Sequence, residues 1–296
     1  MTANLAAAAS PPRAPNYRLR RQLSEVAALL FGAVVLVWTL APIYNMVMVA
    51  LEAPNKVFNH DVWPVNPSIE SFRIVLAEGY WYLEFFWRQL ANRIYGGAAT
   101  VILTLSIGSL ASFAIGRMRI RYGWLLSNTA LLTYVIPASF LAIPFYRIMQ
   151  HYGLADDLWS VIAAEVTFAT PYAIFIFQQY GVSIPLELDE AARIDGASPF
   201  QIYWKIYLPL MAPALVAVGT YALLLAWNEY LYQFLLLSSP RNMTVSVALA
   251  QFLNSDEAPW NYMMATCIVY AVPPVAVYYM FRRRMTAGLT MGGVKG

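Results

Sequence analysis

The chain has 296 residues; 60% are hydrophobic, 12% are charged, and the net charge is +3. An ordinary soluble domain has roughly 45–50% apolar and 25% charged residues, so a soluble globule is excluded, as is a disordered chain, which needs low hydrophobicity and high charge. One cysteine, Cys267, and two histidines, His60 and His151, leave no material for a disulfide framework or a Cys- or His-built metal site. Residues 1–25 are Ala- and Pro-rich and then basic, and are expected to form a disordered cytoplasmic tail. A signal peptide is disfavoured, because no small-residue cleavage site follows the long apolar run.

A bilayer core about 30 Å thick needs roughly 20 apolar residues in a helix. Six stretches qualify: Val26 to Leu51, Ile94 to Gly116, Tyr122 to Tyr146, Leu158 to Leu186 (interrupted by Glu165), Ile206 to Asn228 with its apolar continuation to Leu237, and Ala258 to Phe281. Backbone polar groups in lipid must be satisfied within the segment, so helices are expected. The fold class is all-α polytopic membrane protein, with a six-helix domain over 26–285 and a C-terminal tail over 286–296. Pro42, Pro137, Pro144, Pro171, Pro213, Pro273 and Pro274 predict kinks.

Orientation follows from Lys and Arg in the short loops. Arg13, Arg18, Arg20, Arg21, Arg117, Arg119, Arg121, Arg193, Lys205, Arg282, Arg283, Arg284 and Lys295 fall on one side. Lys56, Arg73, Arg88, Arg93, Arg147 and Arg241 fall on the other. Both termini are therefore expected in the cytoplasm. The basic residues follow the topology and form no nucleic-acid footprint. The outer segment from Glu52 to Asn92 is rich in Trp, Tyr and Phe and reads as an interfacial helix packed on the bundle.

The chain has no P-loop, no His-Glu-x-x-His and no Gly-x-Ser-x-Gly. Energised work would have to draw on another subunit or an ion gradient, and the chain itself is expected to be no enzyme. Glu165 and Glu229 lie within or near hydrocarbon, where ionisable groups are costly. Glu165 reads as interfacial or snorkelling. Asn228 and Glu229 are candidates for the translocation pathway, with a structural role for Glu229 equally open. Thr133, Tyr134 and Ser139 either line a polar path or mediate helix packing.

The loop between the fourth and fifth spans reads as a short helix, a turn and a second helix. Leu188, Ala191, Ala192 and Asp195 share one face. Gly196 supplies a left-handed stop, and Ser198, Pro199 and Gln201 supply a cap, a first-turn proline and a capping-box partner. The two alanines make a shallow surface beside Glu190 and Asp195.

Glu190-Ala191-Ala192, then Gly196, Ile206 and Leu208-Pro209, resemble the EAA motif of ABC importer permeases at every fixed position. Seven such positions match by chance about once in 10⁸ placements at ordinary residue frequencies. Asp195 to Ser198, the Trp227-Asn228-Glu229 run, Ile69 to Leu76 and the Gly288 to Gly296 ending are similar to segments of the carbohydrate-type, maltose-type second permease. The loop from Ser238 to Trp260 is similar to the one that reaches into the binding protein. Arg93 departs from the family, whose members often carry Ser after the asparagine. The resemblance implies an inner-membrane, multi-pass half of a binding-protein-dependent importer, with a coupling helix between spans four and five. Coupling to the ATPases would fall to Glu190, Ala191, Ala192, Asp195 and Gly196. It also implies a sister permease, a dimer of cytoplasmic ATPases holding ATP and Mg, an extracytoplasmic solute-binding protein and surrounding lipid, with no cofactor in this chain. An ion-coupled secondary transporter is the alternative, but neither paired intramembrane charges nor an inverted repeat is evident.

Overall fold

The computed structural model describes residues 17–53, 63–64, 66–118, 120–254 and 259–290, with side chains from 20 to 281 among these. All regular structure among them is helical. Helix α1 covers Tyr17–Ala50, so it starts inside the stretch expected to be tail. Three more helices long and apolar enough to cross a membrane follow: α3 (Phe86–Arg117), α6 (Leu158–Gly181) and α13 (Trp260–Thr290), the last running on into the expected C-terminal tail. A short helix, α2 (Glu70–Leu76), precedes α3.

In the third and fifth spans, where Pro137 and Pro213 predicted kinks, the helices are broken outright. Residues 123–151 form α4 (Gly123–Leu132), a 3₁₀ turn (Thr133–Val135) and α5 (Ala138–His151), bent by 100° at the break. Pro137 causes it, because its ring pushes Ile136 out of the helical region to ψ 116°. The second bent pair joins residues 199–210 to α10 (Ala212–Asn228) at 78°. The fifth span thus begins at Ala212, and Ile206 lies before the bend. The arm before that bend is made of α8 (Pro199–Ile202) and a π-helical segment (Tyr203–Tyr207) leading into α9 (Leu208–Leu210), and α7 (Glu187–Ile194) precedes it. After α10 come α11 (Leu231–Leu236) and α12 (Val245–Phe252). The fourth span ends at Gly181, ahead of Pro185.

Helices α3 and α6 pack most extensively, and small residues permit it. A Cβ on Gly108 would lie 2.9 Å from the Ala173 Cβ, the close approach that small side chains allow in lipid. Three buried clusters result. One, holding Phe86, Trp227, Val245 and Phe252, joins the aromatic outer segment to α10, α12 and α13. Tyr80 and Tyr82 pack against it, so the expected docking of that segment on the bundle is borne out. Helix α12 contributes Val245, Val247, Ala248 and Phe252 as buried residues and is no loose surface helix. A second cluster, with Phe113, Phe177, Ile202, Tyr203 and Tyr207, lies at the opposite end. A third gathers Ala142, Met149, Ala164, Tyr232 and Leu236 beneath α5 and α11.

Candidate functional site

Two regions carry the residues singled out by sequence. The first is the short helix α7 and its turn. Asp195 closes the helix, its N–H donating to the Ala191 carbonyl at 3.0 Å. Gly196 follows with φ +81°, a left-handed value that glycine adopts at no steric cost. Ser198 and Gln201 form the expected capping box, with Pro199 in the first turn of α8. Glu190, Ala191, Asp195 and Gly196 are exposed. Ala192 is half-buried and packs on the cluster around Phe113 and Phe177, so of the two alanines one faces outward.

What holds α7 in place is a residue that periodicity did not reveal. Asp189, on the inner face of α7, is buried, and its Oδ2 lies 3.3 Å from Nη1 of Arg117 at the end of α3. Arg117 Nη2 also donates to the carbonyls of Gly181, at 3.0 Å, and Ile184, at 2.8 Å. The first is the last carbonyl of α6 and the second belongs to the turn that follows it, and carbonyls at a helix end lack partners within the helix. In the sequence Arg117 counted only as a topology charge. Its burial was signalled by nothing nearer than a carboxylate far along the chain.

The second region is a cavity of about 890 Å³ lined by two interruptions of helix: Thr133, Tyr134, Ile136 and Pro137 from the α4–α5 bend, and Asn228, Glu229 and Tyr232 from the α10–α11 junction, whereas the bend before α10 lies elsewhere. Non-helical backbone at membrane depth is tolerated only where it is buried in protein or lines a cavity, and here both interruptions do. Tyr232 donates to the Ala138 carbonyl at 2.7 Å and so ties α11 to α5. Tyr134 donates to the Phe168 carbonyl. Glu229 caps α11: its carboxylate accepts the N–H of Tyr232 at 2.8 Å and of Gln233 at 3.1 Å. Glu229 thus both holds the start of α11 and lines the cavity. Asn228 Nδ2 donates to its own helix at Leu224. Ser139 does not line the cavity.

Glu165 corrects the interfacial reading. It is fully buried, accepts from Arg93 at 2.9 Å and from Thr100 at 2.6 Å, and faces α3. Arg93 is also buried, its guanidinium 5.9 Å from the Trp227 ring centre. The departure from the family pattern and the glutamate in the apolar run are thus two halves of one buried ion pair, a paired charge that the sequence did not show. Among the described residues no group of three His, Cys, Asp or Glu side chains is placed to hold a metal ion.

A family profile described as binding-protein-dependent transport system inner membrane component matches residues 105–290, which take in both regions. The chain belongs to this family. The Trehalose transport system permease protein SugB of Mycobacterium tuberculosis is 31% identical over 88% of this chain and 93% of its own length. The inner membrane ABC transporter permease protein YcjP of Escherichia coli is 29% identical over 94% of this chain and 99% of its own. Among solved structures, a chain of a bacterial ABC transporter involved in import of the acidic polysaccharide alginate superposes with a TM-score of 0.77 at 24% identity, covering 91% of this chain and 99% of that one. That likeness shows that the two chains share a fold.

Proposed function

We propose that the chain is one of two transmembrane halves of an ATP-driven importer for a carbohydrate. A sister permease completes the pathway, two cytoplasmic ATPases hold ATP and Mg, and an extracytoplasmic binding protein delivers the solute. Glu190, Ala191, Asp195 and Gly196 form the exposed dock for an ATPase, and Ala192 seats the dock on the bundle. Asn228 and Glu229 line the pathway at the cavity between these two interruptions. Both termini face the cytoplasm and no catalytic residue belongs to this chain.

The observation that carries this reading is the EAA helix with its exposed Glu190, Ala191 and Gly196, its inner face set against Arg117 through the buried Asp189, in a chain whose relative is named for trehalose transport. The test is reconstitution of the complex with its own ATPase, sister permease and binding protein. The chain alone hydrolyses no ATP. The complex takes up radiolabelled trehalose or a related oligosaccharide only with ATP, and continues when the proton gradient is collapsed. Uptake that stops with the gradient at full ATP overturns the proposal.

A further inference from the structure

The short helix α7 is flanked by two turns, residues 182–186 before it and residues 195–198 after it. A helix attached only by such turns swivels when pushed. The contacts around Arg117 show what restrains this one. The Asp189 carboxylate is buried against the Arg117 guanidinium at 3.3 Å, and both side chains are 4% exposed. Neither Asp189 oxygen has a hydrogen-bond partner among the described residues, so the guanidinium charge is what balances that carboxylate. Arg117 at the same time grips the end of α6 through the Gly181 and Ile184 carbonyls. Its own carbonyl accepts from Arg193 of α7 at 3.3 Å. The guanidinium lies 5.7 Å from the centre of the Tyr207 ring, whose hydroxyl pairs with Ser112 of α3 at 3.1 Å. One side chain thus joins α3, the end of α6, α7 and the π-helical segment.

We propose that Arg117 and Asp189 form a rigid joint that makes α7 move as one body with the ends of α3 and α6, so that force delivered to α7 turns the spans. The proposal rests on the reading of α7 as the ATPase dock. Arg117 and Asp189 are positioning residues: they touch neither nucleotide nor solute. The guanidinium suits the task because its planar fork reaches two carbonyls and a carboxylate together, which a lysine ammonium on its flexible stem does not hold in one geometry. A carboxylate buried against a single counter-charge also resists separation, because parting the pair strands both charges away from water.

The experiment uses the whole complex, with Cys267 replaced and spin labels at Val182, at the end of α6, and Ile194, at the end of α7. Each of these side chains is 86% exposed. The distance between labels is measured without nucleotide and after trapping with MgATP and vanadate. In the otherwise native complex the distribution is narrow and the same in both states. Asp189→Asn keeps the side-chain shape and removes the charge. It broadens the distribution and shifts it on trapping, while ATP hydrolysis persists. Where Asp189→Asn lowers the yield of complex, the same measurement on Arg117→Lys decides, since lysine keeps the charges balanced. A narrow, unshifted distribution in the assembled variant overturns the joint. A native complex that neither retains an ATPase nor traps vanadate overturns the reading of α7 instead.

Discussion

Arg93 and Glu165 show how a membrane interior accommodates charge. Each alone is costly in hydrocarbon; together, with the Thr100 hydroxyl on the second carboxylate oxygen, they pin α3 to α6. Removing one member of a buried pair typically costs about 3–5 kcal/mol, whereas an apolar replacement of both is often neutral. Arg93→Leu is therefore expected to lower the melting temperature of the detergent-solubilised protein strongly, and Arg93→Leu with Glu165→Leu to restore much of it. Equal losses in single and double variants contradict the pairing. The pair was only half legible in the sequence. Both residues stood out, one as an intramembrane acid and one as a departure from the family pattern. Nothing local joins two positions on different spans, and only the packing of α3 on α6 brings them face to face. Asp189 was hidden for the opposite reason: in an acidic run an exposed carboxylate is the ordinary expectation, and burial is decided by Arg117.

Asp156 makes a different kind of link at residue scale, at the turn between α5 and α6. It takes a left-handed φ of 57°. Its carboxylate accepts the N–H groups of Ser238, at 2.8 Å, and Ser239, at 2.9 Å, together with the Ser239 hydroxyl and the Asn242 amide. Partial burial pushes its pKa up, but these hydrogen bonds favour the charged form more, and the net displacement is downward. A depressed carboxylate contributes stability above its unfolded pKa of about 3.9 and loses it as pH falls through the folded value. The outer loop is expected to loosen at acid pH, read as rising protease cleavage near Ser238. Asp156→Asn is expected to show raised cleavage already at neutral pH and a flatter acid response. A native-like profile in that variant removes Asp156 as the tie.

At the scale of elements, the turn between α7 and α8 was legible in full. Glycine, serine, proline and glutamine each appear where backbone chemistry requires them, and the structure places the left-handed residue and the capping box accordingly. The bends were less legible: Pro137 announces a kink, but its angle of 100° and the packing of α5 on α11 and α6 beyond it are not written in the proline. At Gly196 a new Cβ meets nothing within 4 Å, so substitution is penalised by φ alone. A side chain in the left-handed region costs roughly 1–2 kcal/mol, more for a β-branched residue. Gly196→Val is expected to leave membrane insertion unchanged and to lower ATPase-driven uptake. Gly196→Asn, which tolerates that conformation, is expected to retain most of it. Glu190→Ala is expected to weaken retention of the ATPase on an affinity column. Native uptake in the valine variant together with native retention in the alanine variant removes the dock from this helix.

For the whole molecule, side-chain contacts sort the loops into two ends independently of charge. Arg117, Gly181, Ile184 and Asp189 meet at one end. Asp156 meets Ser238, Ser239 and Asn242, and Arg88 and Asn92 meet the Arg241 carbonyl, at the other. The positive-inside bias assigns the first end to the cytoplasm, since Arg117, Arg121, Arg193 and Lys205 lie there. The expected positions of Arg119, Lys295 and the tail beyond 290 lie outside the described residues. The two grouped ends nevertheless make the topology testable with residues that are placed. In a background without Cys267, a single cysteine at Asn254 is expected to react with a membrane-impermeant maleimide in intact spheroplasts. A cysteine at Arg121 or Ser183 is expected to react only after the membrane is opened. The contacts require all inner positions to switch together, because Arg117 fixes the end of α6 to the end of α3. Labelling of Ser183 from outside with Arg121 reached only after opening is incompatible with that fixed pairing, whereas labelling of Arg121 and Ser183 but not Asn254 keeps the fold and reverses its orientation in the bilayer.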